Sequence, residues 1–243
     1  MFDVEDARYA EARAALAAAP ALTDHAEAHP WEPGERRLAW YVRMPYPRTA
    51  AVLAALQGRL AAATGPGVLE PLAADEFHVT VQTVGRAADL DPARVRALRT
   101  AARAALGEVA PFALLLGGVN AFPDNPFVEA RGWRPLLDVR ERLRAAHRAT
   151  LGGEPPGGDD VVPHLSLAYV RRPAPAPSLA AAVDEDRDAP VGRLGVRSIE
   201  LVCLAREDLH HRWTVEDSVP LGGAPDSTHA MGARQPGGAG EAA

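Results

Sequence analysis

Two short segments of the chain carry residues able to move protons: Phe77-His78-Val79-Thr80-Val81 and Pro163-His164-Leu165-Ser166-Leu167. Each sets a histidine two residues before a hydroxyl, with apolar residues between and around them. On a β-strand alternate side chains share a face. His78 therefore lies beside Thr80 and His164 beside Ser166, while Phe77, Val79, Val81, Leu165 and Leu167 turn the other way. Imidazole titrates near neutrality and serves as acid or base, and a hydroxyl next to it can donate a hydrogen bond to an anionic oxygen. Two such strands facing each other would form a phosphate site that needs no metal. The chain has eight histidines and, counted together, fourteen serines and threonines. Chance then supplies roughly half of one His-x-Ser/Thr match in the whole sequence. One copy would mean little, but two copies in strand-like apolar runs, one in each half, point to function.

Extended outward, the segments read His78-Val79-Thr80-Val81-Gln82-Thr83-Val84-Gly85 and Val162-Pro163-His164-Leu165-Ser166-Leu167-Ala168-Tyr169. They resemble the paired H-x-T/S signatures of the 2H phosphoesterase superfamily, in particular its 2′-5′ RNA ligase-like and cyclic phosphodiesterase members, over about residues 36–222. The resemblance implies a metal-independent enzyme, without cofactor, that opens 2′,3′-cyclic phosphates or cleaves or forms 2′-5′ phosphodiester bonds. Its partner is then a small nucleotide or an RNA end. By the same resemblance His78 and His164 are the catalytic acid and base, and Thr80 and Ser166 bind the phosphate. Which histidine plays which part is open, with His164 the working choice for the base. Tyr169 departs from the pattern, standing where many ligase-like members carry a basic residue.

The elements that must position these residues follow a repeated order. Arg37 to Met44 reads as a strand, Arg48 to Ala63 as an amphipathic helix and Glu76 to Val84 as the first motif strand. Asp91-Pro92 opens a helix to about Leu106, with an aspartate cap and proline in the first position. Phe112 to Val119 and Pro126 to Arg131 are strands about a turn at Asn120 to Asn125. Pro135 to Leu151 is a helix stopped by Gly152-Gly153, and a Gly/Pro/Asp loop leads to a second motif strand, Val161 to Val170. Ser178 to Val183 is a short helix, and Val196 to Ala205 and His211 to Val219 are the last strands. Strand, helix and motif strand thus occur twice. The expected fold is α+β and bilobal: two pseudo-symmetric lobes of antiparallel sheet plus helices around a central cleft. The family's fold implies the same.

Charge divides the chain further. Residues 1–35 carry a net −6 and residues 216–243 a net −3, leaving +3 on 36–215; every basic residue is arginine. A core of that charge suits a small anionic ligand and no extended nucleic-acid track. Residues 1–35 read as an acidic N-terminal helix and linker, 36–222 as the two-lobed domain and 223–243 as a disordered tail. No run of eighteen apolar residues suggests a membrane span, and a cytoplasmic monomer is expected.

Other residues draw quieter readings. His25 and His29 have the i,i+4 spacing of a metal pair, but prolines and the lack of a third ligand favour a solvated linker. Cys203 reads as a small apolar strand residue. His147 and the arginines of the 135–151 helix read as surface, Trp213 as core, and His210-His211 as a turn whose side chains diverge. The rival to an enzyme is a non-catalytic module that binds a nucleotide or RNA end. A metal hydrolase lacks its ligand spacings, and a serine hydrolase lacks the G-x-S-x-G elbow.

Overall fold

Eight strands join into one antiparallel sheet. The computed structural model describes residues 4–44, 49–158 and 161–222. In chain order it contains α1 (Val4–Ala18), α2 (His25–Ala28), β1 (Arg36–Arg43), α3 (Ala50–Thr64), β2 (Leu69–Pro71), β3 (His78–Arg86), α4 (Pro92–Leu106), β4 (Phe112–Phe122) and β5 (Asn125–Arg131). There follow α5 (Arg134–Thr150), β6 (His164–Ser166), β7 (Ala168–Val170), α6 (Ala176–Glu185), β8 (Pro190–Val196), β9 (Ser198–Glu207) and β10 (His210–Pro220).

The large sheet has the order β10-β9-β1-β3-β6-β5-β4-β8. The motif strands β3 and β6 meet at its centre, Val79 opposite Leu165. On either side the chain repeats strand, helix, motif strand, helix: β1-α3-β3-α4 and β5-α5-β6-α6. This is the expected bilobal α+β architecture, its lobes being the two halves of one sheet. One face is covered by helices. Leu38, Trp40, Val42, Val79, Val81 and Leu165 pack there with Leu53, Leu56 and Leu60 of α3, Leu98 and Leu106 of α4, and Leu143 of α5. Burying each such side chain contributes about 1.5–3 kcal/mol. The alternate residues face the cleft.

The helices are where their local chemistry puts them. Asp91 caps α4, its carboxylate accepting from Ala93 N at 2.7 Å, and Gly65 ends α3 at φ +91°. Gly85 closes β3 at φ +150° beside an irregularity in the β1–β3 ladder, a backbone shape that a side chain would strain.

Four elements differ from expectation. The second motif strand breaks at Leu167: β6 stays in the large sheet, and β7 leaves it to pair with β2. The β4 strand runs on through Asn120 to Phe122, so the turn shrinks to Pro123-Asp124. The edge strand β8 has no counterpart in the sequence pattern, because Gly192, Gly195 and the leading Pro190 break its apolar run; such residues are tolerated at a sheet edge. The fourth difference is at the N-terminus. Instead of a free helix and solvated linker, residues 4–35 lie on the body. Tyr9 is fully buried, its hydroxyl donating to Pro163 O at 2.7 Å and accepting from Ala130 N at 3.0 Å. Arg13 and Arg131 both pair with the buried Glu129, and Asp6 pairs with Arg131. Asp6 of this extension thus meets an arginine of the core, and Arg13 a core acid. The tail expected to be disordered, 223–243, lies outside the described residues.

Candidate functional site

A cavity of about 750 Å³ opens on the cleft face of the sheet, and His78, Thr80, His164 and Ser166 all line it. The antiparallel pair Val79–Leu165 sets His78 across from Ser166 and Thr80 across from His164. The four residues therefore form a two-by-two array with the histidines on a diagonal, a separation of about 7–8 Å in sheet geometry. A phosphate fits between two groups so spaced.

Each histidine is held the same way. His78 Nδ1 donates to Glu76 O and His164 Nδ1 to Val162 O, both at 2.7 Å and both to the carbonyl two residues earlier. A carbonyl only accepts, so in the neutral ring the proton sits on Nδ1 and Nε2 is left as the basic nitrogen. Glu76 is itself pinned: its carboxylate accepts from Ala73 N at 2.7 Å and from His210 Nδ1 at 2.9 Å. The His78 ring stacks on Tyr41 (centroids 3.9 Å) and meets the edge of Trp213. The His164 ring packs on Phe122 and Phe127.

The hydroxyls are matched too. Tyr41 is the cross-strand neighbour of Thr80, and Tyr169 stands close to Ser166. Asn125 holds Ser166: with its NH₂ set on the Pro126 and Ala168 carbonyls, its Oδ1 accepts from Ser166 Oγ at 2.9 Å. On the remaining wall stand His25, His29, Trp31, Arg37, Asp124, Arg140 and His211.

Burial sets the protonation states. It pulls His78 down to about 4, the Glu76 carbonyl opposing and His164 adding to the effect. Burial also lowers His164, but the Val162 carbonyl and Asp124 resist this. His211 falls to about 3 by burial and the nearness of His78 and His25. Burial raises both Tyr41 and Tyr169 far above the ordinary phenol value, so neither is a base at neutral pH. His78, His164 and His211 are thus each pushed toward the neutral imidazole.

Several residues differ from their sequence readings. His147 is buried on α5 and not on the surface. Arg140 and Arg144 of the same helix are buried as well, reaching the Gly157 and Gly158 carbonyls and, from Arg144, Glu154. They fasten the loop that leads into the second motif; the exposed pairs of that helix belong to Arg142 and Arg148. His25 is buried rather than solvated and stacks on Tyr169 at 3.9 Å. Cys203 is buried on β9, as expected of a small apolar residue. The side chains of His210 and His211 diverge, His210 toward Glu70 and Glu76 and His211 into the cavity. Tyr41, Asn125, Asp124 and His211 carry no local signal; only the fold reveals their place.

Residues 71–208 match the model of the 2′-5′ RNA ligase superfamily. Among solved structures, TT0787 of Thermus thermophilus aligns at TM-score 0.58 and 25% identity, covering 77% of this chain and 98% of its own. E. coli LigT complexed with 3′-AMP aligns at TM-score 0.56 and 18% identity, covering 77% and 98%. E. coli LigT complexed with NADP⁺ aligns at TM-score 0.53 and 18% identity, covering 77% and 99%. No curated protein sequence matches the chain. Fold and paired motifs define a 2H phosphoesterase. Within that class, the chain belongs to the 2′-5′ RNA ligase superfamily. Membership in this group of phosphoesterases and RNA ligases supports an enzyme. Among the described residues, no helix is long and apolar enough to cross a membrane.

Proposed function

We propose that the chain opens 2′,3′-cyclic phosphates, or cleaves or joins the related 2′-5′ linkage, with His78 and His164 as its acid–base pair. The observation that carries this reading is the array of two histidines and two hydroxyls in one cavity, each histidine presenting its Nε2 through the same carbonyl bond. In hydrolysis one imidazole takes a proton from water as its oxygen attacks phosphorus. The bond to one ribose oxygen breaks, and the second histidine, as imidazolium, protonates that oxygen. The product is a monoester. Each proton transfer is worth about 10²- to 10⁴-fold in rate. Thr80 and Ser166 donate to the non-bridging oxygens, Ser166 turning from Asn125 to do so, and stabilise charge as it develops.

The surroundings favour His164 as the acid and His78 as the base, the reverse of the working choice. Asp124 supports a proton on His164, with His25 opposing it, whereas no carboxylate does so for His78. A bound phosphate anion adds to that support. That a relative of the same fold was crystallised with 3′-AMP and with NADP⁺ is consistent with a nucleotide-sized ligand.

The test is turnover of 2′,3′-cyclic mononucleotides in excess chelator. His78→Ala and His164→Ala should each lose at least about 100-fold. Undiminished turnover in both would remove the pair from the mechanism. A wild type that binds the nucleotide without product would leave the binding module in its place.

A further inference from the structure

The cavity wall holds a second cluster of chemistry-bearing side chains beside the two motifs. His25 and His29 project from α2 and its C-terminal end with ring centroids 4.7 Å apart. Asp124 reaches them from the β4–β5 turn, about a hundred residues on in sequence. Its Oδ2 stands 2.7 Å from His25 Nδ1 and 3.0 Å from His29 Nε2. Both imidazoles therefore address a single carboxylate oxygen. Donor atoms of all three lie within 4.8 Å of one another. The i,i+4 histidines lack a third ligand in sequence; the fold brings one.

The cluster is built before any ligand arrives. Asp24 caps α2, accepting from Ala26 N at 2.7 Å and Glu27 N at 3.2 Å. Thr23 N donates to Pro123 O at 3.0 Å, which ties the histidine segment to the residue before Asp124. Stacking on Tyr169 fixes the His25 ring. The side chains of His25 and Asp124 are 9% and 13% exposed, while that of His29 is 58% exposed and has room to adjust.

We infer that His25, His29 and Asp124 bind one divalent transition-metal ion of the zinc class. Two imidazoles and a carboxylate are a ligand set for such ions that leaves a coordination position open. Ligands about a tetrahedral ion with bonds of 2.0–2.1 Å stand about 3.3 Å apart. The two distances to Asp124 Oδ2, 2.7 and 3.0 Å, are shorter than this, so the carboxylate would have to draw back from both rings to admit an ion. The histidines must be neutral and the aspartate ionised to coordinate. All three residues line the cavity that also holds His78 and His164.

The experiment uses the full chain purified without a polyhistidine tag. Zinc binding is measured by calorimetry, and cobalt(II) substitution by visible absorption. One equivalent of zinc should bind at micromolar concentration or below, and cobalt should give the intense bands of a four-coordinate ion. His29→Ala, at an exposed position that leaves the fold intact, and the near-isosteric Asp124→Asn should each weaken binding at least about ten-fold and lose those bands. His210→Gln, outside the cluster, should behave as wild type. No uptake by the wild type, or uptake that the His29 and Asp124 variants leave unchanged, would overturn the inference. The readout is binding, so it stands or falls apart from turnover.

Discussion

At the scale of single residues, function depends on how burial trades against a bound anion. His78 sits in the cavity with its proton affinity depressed to about 4, against 6.5 for the free group. Between those values the unfolded chain takes up a proton that the folded chain refuses. Stability is therefore full above about pH 6.5 and falls as the pH drops toward 4, by up to about 1.4 kcal/mol per pH unit for one such group. Denaturant midpoints followed from pH 7 to pH 5 should fall more steeply in wild type than in His78→Gln. Equal slopes would mean that His78 is not held neutral by its surroundings. The phosphate reverses this trade, because a negative charge between the rings restores the imidazolium that the reaction needs.

At the scale of elements, the first helix supports the site from the side, against Phe127. Tyr9 of α1 bonds to Pro163 O, directly before His164, and to Ala130 of β5, and its ring stacks on Trp133. Replacing it with alanine empties a fully buried position and strands those backbone groups. Tyr9→Ala should lose about 3–5 kcal/mol in urea unfolding, while Tyr9→Phe, which keeps the ring, should lose only the hydrogen-bond share. A loss within about 0.5 kcal/mol of zero would show that α1 is not integral to the fold. This role is hidden in the sequence, where α1 reads only as an acidic, Ala-rich helix. The motif strands are legible because side-chain alternation is local. His78 and Thr80 have to share a face wherever the strand lies, and Asp91 and Pro92 likewise have to begin a helix. By contrast Tyr41 beside Thr80, Asn125 beside Ser166 and Asp124 beside His25 are contacts between distant segments. Their identities depend on register and on the break at Leu167, which no local pattern displays. Buried Arg140, Arg144 and His147 mislead for a related reason: a basic helix face reads as solvated until a loop is seen to cover it.

At the scale of the whole molecule, two half-sheets each supply one histidine and one hydroxyl to a common cavity. The repeat β1-α3-β3-α4 and β5-α5-β6-α6 places equivalent strands side by side at the centre of the sheet. Neither half could run the reaction alone, since each holds one proton carrier where two are required. That pooling is the account's central claim, and a double-mutant comparison tests it most directly. Turnover of a 2′,3′-cyclic mononucleotide would be measured for His78→Ala, His164→Ala and the variant carrying both changes. If the two histidines act as a unit on one phosphate, the double variant should be no more than a few-fold slower than the slower single variant. Losses that multiply would mean the histidines act in separate steps or sites, and the shared acid–base mechanism would be wrong.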